Sequence, residues 1–228
     1  MSVHLSEEEQ LENMKRWWKD NGKSVVTAVV VFFALWLGYE YYKDYTRKTA
    51  EAASATYSQL DTLLQSNLDK PFSDADKATA AHLITTLKND YSSTQYAKSA
   101  ALVAAKLAVD SGDLSAAESE LSWILSAKPD AAFEQVVRLR LARVLLAKNE
   151  LDKALAQLGD KPSAAFESEY QELRGDIFKR QGKLQEAHEA YELALASVAP
   201  QEQARTMVLR MKSDDVKTPA SLTEEKGQ

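Results

Sequence analysis

Three histidines, His4, His82 and His188, are the only imidazoles in the 228-residue sequence, and cysteine is absent. A protein zinc site brings His, Cys or carboxylate ligands together at short, fixed spacings. These histidines are far apart, and none has an acidic partner at such a spacing. The seven glycines form no phosphate-cradling loop of either kind. The serines have no recognisable base arrangement beside them. The sequence therefore supplies no catalytic, cofactor-binding or metal-binding residue, and the reading is of a protein that is not an enzyme. What remains is ionic and apolar recognition. Arg140 and Arg143 fall one turn apart on one predicted helix, and Glu172, Asp176 and Lys179 fall one turn apart on another. A face carrying both signs suits polar segments of a partner protein. The competing reading of each of these residues is an ordinary solvated helix face.

The elements that carry these residues repeat. Three segments share one plan of helix, tight turn and second helix, and their turn residues are Gly112, Asn149 and Gly182. The period is about 34 residues, the tetratricopeptide spacing. Such a turn needs a left-handed residue, which Gly or Asn supplies. Ala117, Ala154 and Ala187 follow at a constant offset, where paired helices approach closely, and Ala142 and Gly175 do the same on the first helices. Leu121 and Tyr191 fill the space between neighbours. The third repeat matches best, through Gly175, Phe178, Gly182, Ala187, Tyr191 and Ala194. The second is degenerate, its second helix being cut short by Gly159 and Pro162. Stacked pairs of this kind make a groove lined by the first helix of each repeat. A helix over about 201–211 caps the stack, and a solvated tail is expected from Ser213. An ordinary helical bundle with coincidental spacing is the alternative.

Upstream, Pro71-Phe72-Ser73 ends one helical stretch, and Ser73 or Asp74 caps a helix to about Asn89 with Leu83, Ile84 and Leu87 inward. Ser92, Ser93 and Thr94 cap the next. Further back, Ser24 to Tyr39 contains no charged residue. A helix over 23–42 reaches across a hydrocarbon core of about 30 Å. Lys23 can snorkel, and Trp17, Trp18, Tyr41, Tyr42 and Tyr45 suit the two interfaces. A buried core helix of a soluble domain is the competing reading; a globular surface helix shows one apolar stripe, whereas this run is apolar on every face and is flanked on both sides by charges and aromatics. A cleaved signal peptide would end in small residues, where this run ends in Tyr39-Glu40-Tyr41-Tyr42. The span reads as an uncleaved signal anchor. Lys15, Arg16, Lys19 and Lys23 precede it, against Lys43, Arg47 and Lys48 beyond, a modest bias towards a cytoplasmic N-terminus. A cysteine-free chain is indifferent to an oxidising compartment.

Few glycines and prolines, abundant alanine and leucine, and no long run of alternating β-branched residues give an all-α reading. The net charge of −6 argues against nucleic acid as a partner. The expected organisation is a cytoplasmic N-terminal segment over 1–22, loose over 1–13 and with a short amphipathic lead-in over 14–22, a transmembrane anchor over 23–42, a periplasmic tetratricopeptide-like domain over 43–212 and a flexible tail over 213–228.

The chain begins with a short acidic N-terminus, the lead Lys15-Arg16-Trp17-Trp18 with Asn21-Gly22-Lys23, and a single span ending in tyrosines. It continues through Leu139-Arg140-Leu141-Ala142-Arg143-Val144, Leu173-Arg174-Gly175-Asp176 and Met207-Val208-Leu209-Arg210-Met211-Lys212. In these features it resembles the YfgM family of ancillary subunits of the bacterial Sec translocon. The resemblance implies a single-pass protein of the bacterial inner membrane with a periplasmic repeat domain. It implies association with SecYEG and with a PpiD-like periplasmic chaperone, in the service of newly translocated client proteins. Membrane lipid surrounds the anchor. No catalytic residue is implied. A second reading is an envelope-stress regulator that tethers a signalling protein through Glu7, Glu8 and Glu9.

Overall fold

In the computed structural model the described residues are 7–67, 70, 72–159, 162–199 and 201–217. The first element, α1, runs from Glu7 to Ser66 without a break. No proline occurs in this stretch, and its only glycines are Gly22 and Gly38. The segment 7–13, expected to be loose, is therefore helical, and 14–22 is part of the same helix rather than a separate lead-in. Charged residues are no obstacle to a helix when no breaker interrupts it, and acidic ones are favoured near its N-terminus. Residues 1–6, with His4, lie outside the described residues.

One helix among the described residues is long and apolar enough to cross a membrane. It is α1, whose apolar stretch is almost wholly exposed. Thr27 Oγ1 donates to the carbonyl of Lys23 at 2.8 Å, so its hydroxyl is satisfied inside the helix. The Trp18 ring lies against Gly22.

The chain divides into two compact units, residues 1–52 and 53–228. Among the described residues, the regular structure of the second is all helical. After the end of α1 come α2 (Asp74–Asp90), α3 (Gln95–Asp110), α4 (Leu114–Ser126), α5 (Ala131–Ala147), α6 (Leu151–Leu158), α7 (Glu167–Arg180), α8 (Leu184–Ser197) and α9 (Gln203–Asp215). No strand appears among the described residues. Ser73 caps α2 in a reciprocal capping box with Asp76, and Thr94, Asp113 and Asp130 cap α3, α4 and α5. Pro71, expected to break the chain before α2, lies outside the described residues, as do Pro200 and residues 218–228.

Three hairpins, α3/α4, α5/α6 and α7/α8, are the three repeats. Their turn residues have positive φ: 83° at Gly112, 62° at Asn149 and 77° at Gly182. In each, the following residue donates its N–H back into the last turn: Asp113 to Ala108, Glu150 to Leu145 and Lys183 to Phe178, at 2.8–2.9 Å. This closes each first helix in a Schellman motif and sends the chain straight into its partner. Ala117, Ala154 and Ala187 are fully buried just beyond. Helix α6 is short and stops at Gly159, whose φ is 55°.

The core is continuous from α3 to α7, through Ala105, Leu121, Ala142, Leu158, Tyr170 and Ile177 among others. A second cluster packs Ala53 and Leu60 of α1 against Leu83 and Leu87 of α2. A third joins Ala187 and Tyr191 to Val216, just past α9. The tail expected from Ser213 is thus displaced: α9 continues to Asp215, and Ser213 and Val216 are both 1% exposed. The Ser213 hydroxyl donates to Glu192 at 2.6 Å and lies 2.8 Å from Nδ1 of His188. These bonds fasten α9 to α8.

Candidate protein-binding face

The first helices α3, α5 and α7 present side chains in register. Counted back from their turn residues, Lys106, Arg143 and Asp176 occupy equivalent positions. Two hollows lie along this face. One, of about 270 Å³, sits between α3 and α5; Leu102, Val109, Leu114 and Val144 line it together with Arg140 and Arg143. The other, of about 610 Å³, is lined by Leu146, Asp176, Lys179 and Arg180, and it shares Arg143 and Ala147 with the first.

The five residues singled out in the sequence part into two groups. Arg140 and Arg143 are exposed on α5. Neither makes an ion pair or hydrogen bond among the described residues. Glu172, Asp176 and Lys179 are engaged by α9. Glu172 accepts from Arg205 and Lys212, both at 2.8 Å. Asp176 accepts from Lys212 at 2.8 Å and from the Tyr191 hydroxyl at 2.8 Å. Lys179 pairs with Asp215. Their charge is largely answered within the chain, and their first role is to seat the last helix on α7.

The electrostatics of that seat are cooperative. Burial works against the Lys212 ammonium, but the hydrogen bonds it donates to Asp176 and Glu172 outweigh it and hold its pKa above the ordinary lysine value. Burial, and then the Asp176 carboxylate, push the Tyr191 phenol up. Elsewhere in the domain Lys88 and Glu120 pair at 2.6 Å between α2 and α4, and Lys148, just past α5, pairs with Glu118 of α4.

Ser213, His188 and Glu192 bring together the residue types of a hydrolytic triad in the wrong order. In a triad the acid holds the histidine and the histidine takes the serine proton. Here the serine itself donates to the acid, and it is buried. Among the described residues no group of three or more His, Asp and Glu side chains could hold a metal ion.

The residues that the sequence did not single out are the apolar ones in the α3/α5 hollow. The repeat plan, which lines the groove with the first helix of each unit, and the equivalence of Lys106 to Arg143 both put α3 on this face.

A family model described as a tetratricopeptide repeat-like domain matches residues 15–218. Several relatives carry the name ancillary SecYEG translocon subunit. The one from Neisseria gonorrhoeae is 30% identical over 217 residues, covering 95% of this chain and 100% of its own. The one from Haemophilus influenzae is 30% identical over 203 residues, covering 89% and 95%. The one from Escherichia coli is 27% identical over 197 residues, covering 86% and 91%. No solved structure matches the chain.

Proposed function

Since the chain belongs to the tetratricopeptide-repeat-like family of ancillary SecYEG translocon subunits, we propose that it is a membrane-anchored protein-binding scaffold beside the Sec translocon. Residues 23–42 hold it in the bacterial inner membrane as a single-pass anchor. Its N-terminus lies in the cytoplasm and its repeat domain in the periplasm. There the repeat domain links the channel to a PpiD-like chaperone acting on newly translocated clients.

The observation that carries this reading is the pairing, in one chain, of an apolar exposed helix with a three-repeat stack, matched end to end by the Neisseria relative. Anchoring confines the domain to the membrane surface and raises the effective concentration of partners held there, so individual contacts need not be strong. The reading is of recognition rather than catalysis, with Arg140 and Arg143 as the contact residues open to a partner and Glu172, Asp176 and Lys179 contributing at the edge shared with α9.

The test is isolation of the tagged chain from mild detergent after crosslinking in cells. Translocon subunits and a periplasmic chaperone are expected to come with it. Recovery of the chain alone would overturn the proposal. Deleting residues 2–12 addresses the regulatory alternative: loss of envelope-stress signalling with intact translocon association would favour a tether at the N-terminal end of α1.

A further inference from the structure

We infer that the hollow between α3 and α5 seats an acidic polypeptide segment bearing a bulky apolar residue, whose side chain enters the hollow while flanking carboxylates pair with Arg140 and Arg143. This rests on the protein-binding reading above and gives it an occupant.

The argument begins with charge. The chain is acidic overall, at −6, and the face of the first helices carries both signs: Lys106, Arg140, Arg143, Lys179 and Arg180 beside Asp110, Glu172 and Asp176. Two of the cations are already ion-paired and a third touches a neutral amide oxygen. Lys106 pairs with Asp110 at 2.6 Å, Lys179 with Asp215, and Arg180 reaches Asn149 Oδ1 at 3.5 Å. Arg140 and Arg143 have no partner among the described residues. They lie on the same face of α5, one turn apart. Guanidinium groups so placed present two planar forks to carboxylates, which bind them bidentately.

Apolar surface fixes the rest. The hollow is lined chiefly by aliphatic side chains, and Val109 leaves 45% of its surface exposed there. At about 270 Å³ it falls below the range of about 300–1,000 Å³ usual for small-molecule sites. It has room for a large side chain or two rather than a cofactor. A ligand that only neutralised the arginines would leave this surface in water. An acidic segment with an apolar anchor satisfies both. Each exposed ion pair adds little alone, so the binding is weak, depends on salt, and suits a partner held at the same membrane.

The experiment uses the full chain in nanodiscs and a fluorescein-labelled peptide of glutamate and leucine, read by anisotropy. Its twin carries lysine for every glutamate. The glutamate peptide is expected to bind, and to bind less as salt rises. R140E/R143E is expected to weaken it by about tenfold or more, and V109E likewise by filling the hollow with charge. Far-UV circular dichroism and the thermal midpoint of R140E/R143E should match the parent, since both arginines are exposed and unpaired.

Equal binding of the lysine twin, or undiminished binding by R140E/R143E, would overturn the inference. So would a parent chain that ignores the peptide and instead binds anionic-lipid vesicles through the same two arginines. If crosslinked translocon subunits are recovered while the peptide never binds, this inference falls and the scaffold reading stands. If the peptide binds and no translocon subunit is recovered, the scaffold reading falls alone.

Discussion

A methyl group on Gly175 would lie 2.4 Å from Cε1 of Tyr191. The glycine sits mid-helix in α7, and only its hydrogen lets the tyrosine ring of α8 lie flat against the backbone. The other two repeats solve the same contact with different sizes. Ala105 with Leu121, and Ala142 with Leu158, occupy the equivalent positions, and all four are buried. Where the second helix carries tyrosine, the first must carry glycine.

Gly175→Ala is therefore expected to destabilise the repeat domain by about 1–3 kcal/mol, the cost of overpacking a filled core, despite alanine's better helix propensity. Tyr191→Leu combined with it restores the alanine and leucine pairing of the other repeats. The double variant should be more stable than the sum of its single changes, since the two sites touch. Urea unfolding of the full chain in detergent, followed by far-UV circular dichroism, checks both. Strict additivity would mean the contact is not what sets the glycine.

The turn glycines behave by a different rule. A Cβ at Gly112 or Gly182 would meet nothing within 4 Å, but both have positive φ. Gly182→Ala should cost about 1 kcal/mol through backbone strain alone, and no second-site change in packing should rescue it. Asn149→Gly should be tolerated, because asparagine at φ 62° already pays part of that strain. The same unfolding experiment distinguishes the two kinds of glycine: one is rescued by a smaller neighbour, the other is not.

This difference marks what the sequence made legible. A left-handed turn admits few residue types, so Gly112, Asn149 and Gly182 could be read and aligned directly, and the hairpins followed. The ion pairs of Glu172, Asp176 and Lys179 could not. Their partners Arg205, Lys212 and Asp215 lie far along the chain on α9, and no local pattern ties them together. Read alone, a charged stripe on α7 looks like an open face. The burial of Ser213 and Val216 was hidden for the same reason, because their contacts are on α8. The unbroken helix through 7–13 was hidden by its polarity, although the absence of proline was in plain view.

The stability that the seat of α9 contributes should fall in alkali. Tyr191 and Lys212 both have pKa values raised in the folded chain, above ordinary values of 10.0 and 10.5. Below those values both states hold the protons and the contribution is complete. As pH rises past them the unfolded chain releases protons that the folded chain retains, so stability falls. Thermal midpoints measured from about pH 9 to pH 11 should decline, and Lys212→Met and Tyr191→Phe should each flatten the slope. An unchanged slope in both variants would assign the decline to other groups.

Orientation in the membrane can be settled with single cysteines, because the chain has none of its own. Glu12 on α1 and Ser122 on α4 are both exposed, so replacing either with cysteine disturbs no packing. The basic residues Lys15, Arg16, Lys19 and Lys23 before the span favour retention of that end in the cytoplasm. A membrane-impermeant maleimide added to intact spheroplasts should then label Ser122→Cys at once and Glu12→Cys only after permeabilisation. The reverse pattern would put the repeat domain in the cytoplasm, out of reach of any chain emerging from the channel. Labelling of both sites before permeabilisation would mean that the apolar stretch of α1 does not cross the bilayer. The bias of charge is small, so the experiment also measures how much of the orientation those four side chains command: replacing them with glutamine should produce a mixed population if they dominate it.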